Sequence, residues 1–128
     1  MPTKLVRLRR SAFVSQSGRC YYCDYPMWES GLISFAQVHN ITLAQARWCK
    51  CTAEHLEARE DGGKDTVENI VAACHFCNLK RHQRRKEAPS PKAYRQLVQN
   101  RIREGCWRGT LSLRRLVQVI ECREKRED

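Results

Sequence analysis

Apolar residues return at helical spacing in three places along the chain. Over residues 4–17, Leu5, Leu8, Ala12 and Phe13 fall roughly on one side, and Gly18 follows as a stop. Over 92–104, Tyr94, Leu97, Val98 and Ile102 recur, and Ser90-Pro91 just before them fits an N-cap with a first-turn proline. Over 111–124, Leu113, Leu116, Val117 and Ile120 share a face. "SFAQVHN" and "TLAQARW" predict short helical turns with Ser34 and Thr42 as N-caps. The middle of the chain has a different pattern. "CTAEHLEAR" predicts a short strand, with imperfect alternation, and "DGG" at 61–63 is a turn signal. "TVENIVAACHFCNLKRH" then runs from a second strand into a helix beginning near Cys74. Helices flanking a strand–turn–strand–helix unit predict an α+β fold, and no internal repeat is present.

Length and charge narrow the partners. At 128 residues the chain is the size of one domain. Lysine and arginine total 24 against 14 acids, a net charge of +10. Such an excess favours a polyanion, nucleic acid first and an anionic membrane second. No apolar run approaches the ~20 residues of a membrane helix. The N-terminal stretch lacks a continuous apolar h-region, so a soluble, cytoplasmic protein is expected.

Eight cysteines change the picture again. In a reducing compartment they are expected as thiols or metal thiolates. Cys20/Cys23 and Cys74/Cys77 are two CxxC pairs with 50 residues between them. Two such pairs can close a tetrahedral Cys₄ site around a structural Zn²⁺. Cys49/Cys51 form a CxC that could replace one pair, and His75 could replace one thiolate. The preferred reading leaves Cys49, Cys51, Cys106 and Cys122 as ordinary buried thiols.

A structural zinc does not account for Glu54-His55, nor for the spacing E-H-x13-N-x8-N-x3-H formed by Glu54, His55, Asn69, Asn78 and His82. Asn78 and His82 are i and i+4 on the expected helix and project from one face. If the Glu54-His55 strand packs on that helix, a carboxylate, an amide oxygen and an imidazole can surround a second, open metal site. Its mixed ligands suit Mg²⁺, Mn²⁺ or a later transition ion.

"CYYC" at 20–23, "AEHLEAREDGG" at 53–63, "ENIVAACHFCN" at 68–78 and the following "KRH" together resemble the HNH endonuclease family, the ββα-metal fold. The resemblance is greatest to its zinc-stabilised branch, with one CxxC before the motif and one inside it. It covers roughly residues 18–86. It implies a small ββα-metal core with a Cys₄ zinc knuckle, flanked by helices at both ends. The expected organisation is one domain over 1–128, with a basic N-terminal helix (1–17), the nuclease core (18–86) and a helical extension (87–128).

The resemblance also implies roles. His55 matches the general base that activates water. Asn69 matches the asparagine that holds the loop and orients that base. Asn78 matches a metal-ligand position taken by His or Asn. Glu54 stands where the family usually has a ligating Asp, one methylene shorter. His82 matches an additional histidine ligand found in some members.

The run Lys80, Arg81, Arg84, Arg85 and Lys86 begins on the helix bearing Asn78, where phosphates would lie. Lys4, Arg7, Arg9 and Arg10 could add contacts. The expected function is a metal-dependent endonuclease or nickase acting on DNA, with RNA left open. The alternative is a zinc-stabilised nucleic-acid-binding adaptor without catalysis. A third reading, a redox or zinc-sensing switch, rests on Cys49/Cys51 and the spare thiols.

Overall fold

The computed structural model describes residues 1–83 and 87–107. Helix α1 (Lys4–Ser15) starts from Thr3, whose hydroxyl accepts the Val6 N–H at 3.2 Å. It ends where Gly18, at φ 73°, returns its N–H to Phe13 O at 2.8 Å. The chain then doubles back in a tight knuckle. The Cys20 N–H reaches Tyr25 O and the Asp24 N–H reaches Cys20 O, both at 2.9 Å.

Two short helices follow, α2 (Leu32–His39) and α3 (Leu43–Arg47), packed on each other. Thr42 caps α3 as expected, in a reciprocal capping box with Gln45. Ser34 does not cap α2. That helix enters from Gly31 at φ 80°, three residues earlier, with no side-chain cap. Glycine supplies the left-handed entry, so Ser34 lies inside the helix.

Strands β1 (Cys51–His55) and β2 (Ile70–Cys74) pair antiparallel, with Cys51 opposite Cys74 and His55 opposite Ile70. Their connection carries a 3₁₀ turn at Arg59–Asp61 and the glycine pair. Gly62 has φ 93°, and a Cβ on Gly63 would lie 1.8 Å from Glu57 O, so only glycine fits the second position. Helix α4 (His75–His82) follows β2 without a linker. Cys74 is its N-cap, with Sγ accepting the Cys77 N–H at 3.4 Å. Strand, strand and helix thus form a ββα unit, and the fold is α+β.

Flanking helices close this unit. Helix α1 packs over both strands. Its C-terminal neighbour Gln16 donates to Ala72 O at 2.8 Å and accepts from Ala72 N–H at 2.9 Å, so a side-chain amide satisfies the open edge of β2. Helix α5 (Pro91–Arg103) starts from Ser90, whose hydroxyl accepts the Ala93 N–H. It buries Tyr94 and Val98, with Leu97 and Ile102 partly buried. The Tyr94 hydroxyl donates to Cys77 O at 3.0 Å, and Gln99 donates to Tyr22 O at 2.7 Å. The first turn of α4 and the knuckle therefore share α5 as a support.

The core these elements enclose is poor in large aliphatic side chains. Cys20, Cys23, Cys51, Cys74 and Cys77 cluster with Tyr22, Met27, Ala72, Ala73, Tyr94 and Val98. Alanine and cysteine bury little apolar area each, so this core gains less from burial than a leucine-rich one. Small domains of this kind commonly depend on a bound metal. Cys106, read from the sequence as an ordinary thiol, is instead disulfide-bonded. Pairing follows spatial proximity, which spacing along the chain does not report. The expected helix over 111–124, with Leu113, Leu116, Val117 and Ile120, lies outside the described residues, as does Cys122.

Candidate active site and metal centre

The knuckle and the β2–α4 junction bring Cys20, Cys23, Cys74 and Cys77 together, all buried, with their sulfur atoms within 4.8 Å of one another. Sulfurs ~2.3 Å from one tetrahedral ion are about 3.8 Å apart. The Cys23 and Cys74 sulfurs are 3.9 Å apart. Four soft donors at this spacing are positioned to bind a metal ion. Burial opposes ionisation of Cys20, but hydrogen bonds from Cys23, Cys74 and Cys77 bring its thiol well below the ordinary range. The hydrogen bond with Cys20 holds Cys23 up, and burial holds Cys77 up. Cys49 and Cys51 are buried but stand outside this quartet. Burial first pushes Cys51 up to about 12, so it remains a neutral thiol. His75 is exposed and stacks on Trp48 at 5.2 Å.

On the other side of the strand–helix junction is a cleft of about 310 Å³. Ala53, Glu54, His55, Arg59, Asn78 and His82 are among its walls. His55 ends β1, and its Nε2 lies 2.8 Å from Asp65 Oδ1. Asp65 also pairs with Arg59 at 3.0 Å. The hydrogen bond from His55, helped by Arg59, keeps the Asp65 carboxyl below its usual range. An ionised Asp65 accepts the Nε2 proton, which leaves Nδ1 as the basic ring nitrogen.

Glu54 is 2% exposed and surrounded by donors. Tyr22 Oη and Arg81 Nη1 each lie 3.2 Å from Oε2, and His82 Nε2 lies 2.9 Å from Oε1. Burial, and then the Glu54 charge, push the Tyr22 phenol up, so it stays protonated and donates. Asn78 spends both amide hydrogens on β1, at Thr52 Oγ1 (3.0 Å) and Ala53 O (3.3 Å). Its amide oxygen is left over, in a residue that lines the cleft. Cis ligands on an octahedral ion with bonds of ~2.1 Å stand about 3 Å apart. The Glu54–His82 separation of 2.9 Å meets that spacing, and Asn78 Oδ1 offers a third donor. Among the described residues no third His, Cys, Asp or Glu joins Glu54 and His82.

Asn69 works on the loop. Its Oδ1 accepts the Glu57 N–H at 2.8 Å, and its Nδ2 donates to Glu57 O and Lys64 O at 3.0 and 2.9 Å. It pins the two ends of the segment that carries Arg59 and the glycine pair, just ahead of Asp65.

Residues 45–84 match the family model described as HNH endonuclease. The likeness to HNH endonucleases spans under a third of the chain. No curated protein and no solved structure matches the chain. The HNH segment runs from α3 through α4 and contains Glu54, His55, Asn69, Asn78, His82 and the second CxxC, while Cys20 and Cys23 reach it from the knuckle.

The basic run of the HNH segment divides. Lys80 is exposed, with Nζ 5.6 Å from the Phe76 ring. Arg81, expected among the phosphate contacts, is 5% exposed and turns inward. It pairs with Glu54 and donates to His55 O, Leu56 O and Pro89 O. Its position three residues after Asn78 places it against the strand, where a buried carboxylate needs a counter-charge. Arg84, Arg85 and Lys86 lie outside the described residues. Among exposed positions of α1 are Lys4, Arg7 and Arg10.

Sequence reasoning passed over Asp65, Arg59 and Tyr22. Asp65 follows a glycine turn, where acids are ordinary loop residues, and only the folded loop brings it to His55. Tyr22 carried a weak signal, as a large polar side chain inside the first knuckle.

Proposed function

We propose that this chain is a metal-dependent HNH endonuclease that hydrolyses DNA phosphodiester bonds. The observation that carries the reading is His55, held by Asp65 and lining one cleft together with Glu54, His82 and Asn78. His55 Nδ1 takes a proton from water as the water oxygen attacks phosphorus. Asp65 orients the ring and stabilises the imidazolium that forms. The bond from phosphorus to the 3′ oxygen breaks, and the departing oxygen gains a proton from solvent. The products carry 5′-phosphate and 3′-hydroxyl ends. Glu54, His82 and the Asn78 amide oxygen would hold one Mg²⁺ or Mn²⁺, whose charge when bound stabilises the phosphate and the leaving oxygen. Cys20, Cys23, Cys74 and Cys77 would hold one structural Zn²⁺.

The alternative, a non-catalytic nucleic-acid-binding adaptor, draws on one observation. The Glu54 carboxylate is already shared by Tyr22, Arg81 and His82. A plasmid assay separates the two. Purified protein with Mg²⁺ or Mn²⁺ should nick supercoiled DNA, and His55→Ala should cut the rate by roughly 10²- to 10⁴-fold at unchanged zinc content. DNA binding without nicking across several divalent metals would establish the adaptor.

A further inference from the structure

A second and larger cleft, about 790 Å³, opens beside the first. Leu5 and Ala53 line both, so the two clefts share a wall. Three cations from three separate places in the chain converge on the larger one: Arg9 from α1, Arg47 from the end of α3, and Lys50 just before β1. Among the described residues no acid lines it. Glu29 lies near Cys51, as Arg9 does, but does not line the cleft. The Arg9 Nε is buried with no hydrogen-bond partner, an unusual state for a guanidinium nitrogen. Arg47 and Lys50 are exposed. Between the cations, Leu5, Val6 and Leu32 give an apolar wall. The Trp28 ring is fixed there by its N–H bond to Ala46 O at 2.7 Å.

We propose that this cleft is a second DNA-backbone site, in which Arg9, Arg47 and Lys50 hold phosphates to one side of the bond being cut. The proposal rests on the nuclease reading for its register, and on the cleft itself for its chemistry. Convergent guanidinium and ammonium groups from Arg9, Arg47 and Lys50 match phosphate oxygens. The apolar wall suits the sugar faces between successive phosphates. The register follows from the strand. Lys50 is five residues from His55, about 17 Å at ~3.3 Å per residue. With the strand laid along the duplex axis, that is about five base steps at ~3.4 Å per step. The shared wall at Leu5 and Ala53 makes the two clefts neighbours. The basic surface that the sequence assigned to α4 is thus joined by a second one, built from α1 and the segment ahead of β1.

The test is fluorescence anisotropy on a short labelled duplex without divalent metal, over a range of salt. The double variant R47Q/K50Q should lower the log–log salt slope by about 2, and R9Q/R47Q/K50Q by about 3, with zinc content and melting temperature as fold controls. Because both double-variant positions are exposed, that variant stands if the Arg9 substitution fails to fold. A duplex with methylphosphonates three to five steps to one side of a cleavage site should bind wild type more weakly, and the double variant much less so. Unchanged slopes in both variants overturn the proposal, even if wild type nicks plasmid. Equal sensitivity of wild type and double variant to the methylphosphonates also overturns it. Reduced slopes in a protein that never nicks support the cleft and overturn the nuclease reading alone.

Discussion

His55 Nε2 and Asp65 Oδ1 are 2.8 Å apart across a loop closed by Asn69, so the imidazole is held by a carboxylate from the far side of the hairpin connection. The pairing leaves Nδ1 as the ring nitrogen open to a proton. Asp65→Asn should preserve the shape but offer an amide that can favour the other tautomer. The expected loss in cleavage rate is roughly 10²-fold, part of the usual worth of a positioned base. DNA affinity measured without metal should stay unchanged. A variant as fast as wild type would remove Asp65 from the site.

Asp65 also predicts a pH dependence of stability. Its carboxyl is held low in the fold by the bond from His55 and by Arg59. A group depressed in this way stabilises the fold above its unfolded pKa of about 3.9, and the contribution is lost as pH falls through the lower folded value. The gap in urea midpoint between wild type and Asp65→Asn should therefore be widest above about pH 4 and close below it. A gap that widens with acid would reverse the assignment.

Arg81 should behave as a structural residue. Removing it leaves Glu54 buried beside Tyr22 and His82 without its fixed counter-charge, and frees three backbone carbonyls. Arg81→Ala should cost about 3–5 kcal/mol by urea unfolding. Lys80→Ala, at an exposed neighbour, should stay within about 0.5 kcal/mol. Similar midpoints for the two variants would contradict the buried pairing.

The thiol quartet predicts one tightly held zinc per chain. Cys74→Ser and Cys77→Ser should each lose it and destabilise the whole fold, since metal binding and folding are coupled. Metal analysis with circular dichroism checks this. Full zinc and native stability in both variants would break the assignment.

Asn78 and His82 should separate under metal titration. His82 is partly exposed and touches Glu54, whereas Asn78 also ties α4 to β1 through Thr52 and Ala53. His82→Ala should raise the metal concentration needed for half-maximal cleavage and be partly rescued by excess. Asn78→Ala should lose activity that excess metal does not restore. An unaltered metal requirement in His82→Ala would exclude it as a ligand.

The parts of this fold legible in the sequence are those set by local chemistry. Thr42 with Gln45, Ser90 before Pro91, and the glycine pair each satisfy backbone demands within a few residues. Paired CxxC motifs were equally readable, because their spacing reflects the geometry of one ion. The placement of Ser34 failed, since Gly31 offered an entry that side-chain capping rules do not rank. Arg81 and Asp65 were illegible for a different reason. Each acts through a partner more than nine residues away, and in sequence both look like ordinary surface charge. The three-cation cleft is the same case, because Arg9 and Lys50 are distant in the chain and meet only over β1.

Cys74 ends β2 opposite Cys51, caps α4, and contributes a sulfur to the quartet. The start of α4 is therefore fixed at the same atom that joins the quartet. Asn78 and His82 ride on that helix, while Glu54 and His55 belong to the hairpin. The quartet sits at the pivot between two arms, and a metal held there would fix the gap between them. A chelator that stripped a metal from the thiols would loosen the walls of the cleft without entering it.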